Sequence, residues 1–244
     1  MTASNVEIHP DAGELARAGA EWFALLADRA AVTRGVFSVA LAGGSTPRQM
    51  YTLLTGAYYR ERVPWSQVQF FWGDERCVPP DHADSNFRMA REALLTHIPI
   101  SPGQVHRIHG ELPPGEAAAL YESELRLEFS ETGLPRFDLI LLGLGEDGHT
   151  ASLFPGDPAL AEQTRLAAAV IHHTPPLPLV SRVTLTLPVL NAATFVMFLV
   201  GGAGKAQPLA EVLAPGCTLP AARVRPLHGE VRWLVERAAA AALD

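Results

Sequence analysis

Four short segments of this chain set polar, glycine-rich sequence directly after an apolar run. In Leu41-Ala42-Gly43-Gly44-Ser45-Thr46-Pro47, two glycines let backbone N–H groups approach an anion, and a following helix adds its partial positive charge. Gly44, Ser45 and Thr46 would then cradle a phosphate with no lysine of the P-loop type. The same residues also read as an ordinary strand–turn–helix junction, with Thr46 as cap and Pro47 in the first helical position. In Trp72-Gly73-Asp74-Glu75-Arg76-Cys77, three charges follow a strand. Arg76 can grip a phosphate through two parallel N–H bonds while Asp74 or Glu75 steadies it, or the triplet can be a solvated loop. Cys77 reads as structural, because its neighbours alone do not make a thiol reactive.

The third segment, Leu142-Gly143-Leu144-Gly145-Glu146-Asp147-Gly148-His149-Thr150, contains G-x-G-x-x-G, the spacing of a dinucleotide fingerprint. That reading is weak here. The next expected strand ends in His172-His173 rather than in an acid for a ribose, Glu162 precedes that strand, and Asp147 sits where a pyrophosphate would lie. The alternative is an Asp-Gly-His turn in which Gly148 makes the bend and His149 stands ready as a general base near neutral pH. A lone loop histidine can equally be a surface residue. In the fourth segment, Val200-Gly201-Gly202-Ala203-Gly204-Lys205, a lysine opens a helix against the helix dipole. A bound anion would stabilise it there, although surface lysines are common. His172-His173, His106 and His109 do not fall at metal-ligand spacing beside Cys, Asp or Glu, so neither a metal site nor a cofactor is expected. No G-x-S-x-G elbow supports a serine esterase.

These segments need a scaffold that brings strand ends together, and the hydrophobic periodicity supplies one. Helices are expected over residues 11–32 (closed by Gly35), 46–55, 85–97, 113–132, 206–213 and 230–243. Strands are expected over 35–41, 67–72, 137–142, 166–172, 182–187 and 194–200. Alternating strands and helices predict an α/β fold: a doubly wound, mostly parallel sheet with helices on both faces and ligands at the carboxyl ends of the strands. Residues 174–178 (TPPLP) are the one linker-like stretch and are too short to divide the chain, so residues 1–244 are expected to form a single domain.

Composition narrows the function. The 244 residues are 48% hydrophobic and 18% charged, which suits a folded domain. The net charge of −7 disfavours nucleic acid and anionic membrane as partners, while leaving room for a local cationic pocket. No apolar run is long enough to span a bilayer, no secretory signal is read at the start, and two cysteines do not make a disulfide framework. A cytoplasmic location is the expectation.

Taken in order, LAGGSTP, WGDERCVPPDHADSNFRMA, FDLILLGLGEDGHTASLFPG and VGGAGK resemble the 6-phosphogluconolactonase family, from about residue 10 to the C-terminus. The resemblance implies a doubly wound α/β fold related to that of the glucosamine-6-phosphate deaminases. It implies hydrolysis of 6-phospho-D-glucono-1,5-lactone, a small phosphorylated sugar lactone, without metal, in the oxidative pentose phosphate pathway. By the same resemblance His149 is the general base and Asp147 orients it. Gly44, Ser45, Thr46, Arg76 and Lys205 hold the 6-phosphate, and Asp74, Ser85 and Asn86 line the site. The nearest rival is a glucosamine-6-phosphate deaminase, whose corresponding loop reads DGHIAFNEP, with a glutamate where this chain has Phe154. A non-catalytic sugar-phosphate sensor and a dehydrogenase are more distant alternatives.

Overall fold

The computed structural model describes residues 5–130, 133–173 and 175–243. The first four residues, the end of the helix expected over 113–132 and the first residue of the 174–178 stretch therefore lie outside the described residues.

The chain opens with a short strand, β1 (Val6–His9), and a long helix, α1 (Ala12–Arg34). Asp11 starts α1 by accepting the Glu14 N–H, and Gly35 ends it in the left-handed region at φ 76°. Then follow β2 (Phe37–Leu41), α2 (Ser45–Leu54), α3 (Ala57–Arg62), β3 (Val68–Trp72), β4 (Asp74–Arg76), α4 (Asn86–Ala93) and α5 (Pro114–Glu128). The second half runs β5 (Leu139–Leu142), β6 (Ala167–Val170), β7 (Arg182–Leu185), α6 (Leu187–Ala192), β8 (Phe195–Val200), α7 (Ala206–Leu213) and β9 (Glu230–Glu236).

Six strands form one parallel sheet in the order β1-β9-β8-β5-β2-β3. Its central strands β2, β5 and β8 are buried along their whole length, as a sheet covered on both faces requires. Neighbouring residues of β3 show the two faces directly. Phe70 stacks on Trp65, which packs against Phe23 of α1, whereas Phe71 packs against Phe129 at the end of α5 and Phe137. From β2 the chain steps to β3 on one side, and later to β5, β8 and β9 on the other. The order therefore reverses between β2 and β5, and in such sheets ligands bind at the carboxyl ends beside the reversal.

Four expectations are corrected. Residues 230–243 are not a helix: 230–236 form β9, inserted between β1 and β8, with Trp233 stacked on Phe198 at 3.8 Å between ring centres. Val231 and the run Trp233, Leu234 and Val235 are buried, a short apolar strand that the alanine-rich tail behind it obscured. The strands β6 and β7 lie outside the main sheet and pair antiparallel in a three-stranded sheet, β4-β7-β6. The Asp74-Glu75-Arg76 triplet is itself β4 and not a loop. Finally, α2 begins at Ser45 with Gly44 as its cap residue, so Thr46 and Pro47 lie inside the first turn.

Candidate functional site

The carboxyl ends of β2, β3, β5 and β8 surround a cleft of about 460 Å³. Gly44, Ser45, Thr46, Asp74, Arg76, Asn86, His149 and Lys205 all line it. Four segments far apart in sequence therefore meet in one concavity. Ser85 and Asp147 do not line the cleft: Asp147 meets His149, which does, whereas Ser85 meets Glu75 and Arg88, which do not.

The segment after β5 folds as a tight turn that presents His149. The Gly148 N–H donates to the Gly145 carbonyl at 3.1 Å, and the Gly145 N–H to the His149 carbonyl at 2.8 Å. Gly148 occupies the left-handed region at φ 79°, where a side chain would be strained. A methyl group on Gly145 would lie 2.0 Å from His149 Nδ1, so the imidazole rests directly on the backbone. Asp147 accepts the His149 N–H at 3.1 Å and a short hydrogen bond from His149 Nδ1. Burial alone would raise the Asp147 pKa, but the hydrogen bond and charge of His149 outweigh it and hold the carboxyl below its ordinary range. In a neutral imidazole, the bond to an ionised Asp147 places the proton on Nδ1 and leaves the lone pair on Nε2. This arrangement fits a positioned general base.

The Asp74 carboxylate, at the start of β4, is fixed by two buried neighbours. Ser152 Oγ donates to its Oδ2 at 2.6 Å and Asn86 Nδ2 to its Oδ1 at 3.2 Å. The same Asn86 amide donates to the Asp74 carbonyl at 2.9 Å. Next to it Glu75 turns away from the cleft and ties β4 to the start of α4. Its two oxygens accept the backbone N–H groups of Arg76, Asn86 and Phe87, each at 2.7 Å, and the Ser85 hydroxyl at 3.0 Å. Ser85 in turn caps α4 by accepting the Arg88 N–H. Burial pushes the Glu75 pKa up while these N–H groups pull against the rise. Every partner of this carboxyl is a donor, so an amide nitrogen in place of one oxygen would leave Phe87 N–H without an acceptor. Glu75→Gln should therefore lower stability by about 1–3 kcal/mol, read as a reduced Tm in thermal melting. An unchanged Tm would contradict the tie.

Three cations reach the cleft. Arg76 donates through Nη1 to the Asp84 carbonyl at 2.7 Å, and its buried Nε has no partner among the described residues. Lys205, beside the glycines after β8, lies 4.0 Å from the carboxylate of the exposed Glu146. The third is Arg182, which sequence reasoning missed. It opens β7, is 3% exposed, lines the cleft, and has a buried Nε likewise without a partner. Its Nη2 donates to the Pro178 carbonyl at 3.2 Å and its guanidinium lies over the Phe154 ring. Burial holds its pKa below the ordinary arginine value. An arginine on a short strand looks like a solvent-exposed edge residue, so only the antiparallel pairing of Arg76 with Arg182 across β4 and β7 reveals it. Phe154 packs against the ring of His149 and stacks on His172, whose Nε2 is 2.6 Å from the Pro176 carbonyl. Pro176 and Leu177 also line the cleft. The Cys77 thiol is pushed up to about 11 by burial, which fits the structural reading.

The chain as a whole is similar to known proteins. The family described as "Glucosamine-6-phosphate isomerases/6-phosphogluconolactonase" matches residues 10–233. The chain belongs to this family. A 6-phosphogluconolactonase of Synechocystis sp. is 43% identical, over 86% of this chain and 86% of that protein. The Homo sapiens 6-phosphogluconolactonase is 42% identical, over 91% and 88%. The solved structure of 6-phosphogluconolactonase from Trypanosoma cruzi superposes with a TM-score of 0.87 at 31% identity, covering 98% of this chain and 96% of that one. Family membership accounts for the mostly parallel α/β sheet flanked by helices. Among the described residues no three His, Cys, Asp or Glu side chains group to hold a metal ion, and no helix is long and apolar enough to cross a membrane.

Proposed function

We propose that this enzyme hydrolyses 6-phospho-D-glucono-1,5-lactone to 6-phospho-D-gluconate in the cytoplasm, as a step of the oxidative pentose phosphate pathway. The observation that carries this reading is the placement of His149, held through Nδ1 by Asp147, in the same cleft as Arg76, Arg182 and Lys205. In this reading the 6-phosphate binds the three cations together with the hydroxyls of Ser45 and Thr46 and the first turn of α2. Anchoring the phosphate fixes the ring so that C1 faces His149.

His149 Nε2 then takes a proton from water as the water oxygen attacks C1. The tetrahedral intermediate collapses by breaking the bond between C1 and the ring oxygen. The imidazolium returns its proton to that oxygen, which leaves as the C5 hydroxyl. Asp147 stabilises the imidazolium between these steps without itself accepting the proton. The similarity to proteins named 6-phosphogluconolactonase supports the substrate and the reaction.

The family also includes isomerases acting on glucosamine 6-phosphate. Phe154 argues against that activity here, because it fills with a buried hydrocarbon ring the position next to His149 where the resemblance would require a glutamate. The expected result is lactone hydrolysis undiminished by exhaustive chelation and no ammonia released from glucosamine 6-phosphate. Activity restored to a chelated sample by a divalent ion, or ammonia release at a comparable rate, would contradict the proposal.

A further inference from the structure

We infer that the protein carries a second anion-binding site at the opposite end of the sheet, shaped for a phosphorylated ligand with an apolar body: a nucleoside di- or triphosphate. The site is a cavity of about 780 Å³ built by the segments that lead into three strands. Arg136 precedes β5, α6 precedes β8, and Arg223, Arg225 and His228 precede β9. These strands are parallel, so their amino ends lie away from the carboxyl ends that form the cleft. The two sites are separate.

The way these arginines are held distinguishes them. Elsewhere several surface arginines pair with carboxylates, as Arg17 with Glu14, Arg62 with Glu21, Arg88 with Glu92 and Arg107 with Glu111. Around this cavity they rest on main-chain oxygens. Arg136 Nη2 donates to the His228 carbonyl at 3.1 Å and Arg225 Nε to the Ala222 carbonyl at 2.8 Å. Asn191 clamps the segment between them, donating to the Arg223 carbonyl and accepting the Arg225 N–H at 2.6 Å. Among the described residues no Asp or Glu lines the cavity. A guanidinium anchored on a carbonyl keeps its full charge and most of its donors for another partner. Arg76 and Arg182 are held in the same way in the cleft, on the Asp84 and Pro178 carbonyls. Like charges gathered in one cavity repel, and an anion bound among them offsets that repulsion.

The apolar lining specifies the rest of the ligand. Leu187 forms part of the wall and Leu227, 84% exposed, stands at the edge beside the arginines. A bare inorganic anion would leave that leucine in water, whereas the flat face of a base would cover it.

Calorimetric titration at low salt with ADP, and separately with inorganic pyrophosphate, tests the site. ADP should bind the wild type more tightly than pyrophosphate does. Arg223→Gln/Arg225→Gln should weaken ADP binding at least about tenfold while melting at the wild-type temperature. Leu227→Ala should weaken ADP alone, and Lys205→Ala in the cleft should leave ADP binding unchanged. Absence of ADP binding, binding retained in the double arginine variant, or binding lost in Lys205→Ala would each overturn the site. Pyrophosphate bound as tightly as ADP would overturn the nucleotide assignment.

Discussion

His149→Ala should lower kcat for 6-phosphogluconolactone by roughly 10²-fold or more, with KM and Tm close to wild type. The expectation follows from the division of labour in the cleft. In the proposed mechanism the imidazole acts only on the water and the ring oxygen, so its loss removes stabilisation of the transition state rather than ground-state binding. Its side chain lies on the cleft wall against Gly145 and Phe154 and carries no strand or helix, so the fold should persist. Asp147→Asn should follow with a smaller loss in kcat. The amide can still meet the ring, but it no longer favours the tautomer with the proton on Nδ1 or stabilises the imidazolium. Wild-type turnover by His149→Ala would remove the histidine from the mechanism, whatever its geometry suggests.

The second large effect concerns the anchor. Charge-assisted hydrogen bonds to an anion contribute about 1.5–3 kcal/mol each, so Arg76→Ala or Lys205→Ala should reduce kcat/KM for the phosphorylated lactone by roughly tenfold to a hundredfold. Activity on unphosphorylated gluconolactone, low from the outset, should barely change in either variant. That contrast separates a phosphate ligand from a residue that only supports the loop. Arg76 rests on the Asp84 carbonyl, and Lys205 only approaches the exposed Glu146, so neither holds a buried partner whose loss would confuse the result. Equal efficiency on the phosphorylated substrate in both variants would mean that the phosphate binds elsewhere and that the substrate is oriented differently.

Much of this arrangement can be read in the sequence, and the parts that cannot share a physical cause. The strands β5 and β8 are continuous apolar runs, and β2 is one but for Ser38, because the sheet buries both of their faces, and the glycine-rich segments after them are where the chain must turn tightly at a ligand. The α1 boundaries are written locally, in Asp11 and Gly35. By contrast, β1 has only four residues, at an edge, and β4 is three charged residues whose extended form comes from pairing with β7, more than a hundred positions later. Strands β6 and β7 look like members of the main sheet until their antiparallel partners are known. The same long-range pairing conceals Arg182, whose place beside the cleft depends on β4, while Ser152 looks like one more residue of the DGHTASLFP segment until Asp74 meets it. Ser85, which the resemblance sets among the residues lining the site, has its hydroxyl on Glu75 and caps α4, a placement that only the folded chain reveals.

The most direct measurement of the central claim is the initial rate of acid release from freshly prepared 6-phospho-D-glucono-1,5-lactone near neutral pH, followed by pH-stat with increasing amounts of the purified protein. The lactone opens spontaneously, so the slope against enzyme concentration carries the information rather than the rate itself. The account predicts a rate that rises in proportion to protein above the spontaneous background, and a slope that nearly vanishes for His149→Ala. A wild-type rate that stays at background at every concentration, although the protein still binds 6-phosphogluconate, would contradict it and leave a sugar-phosphate-binding protein in place of an enzyme.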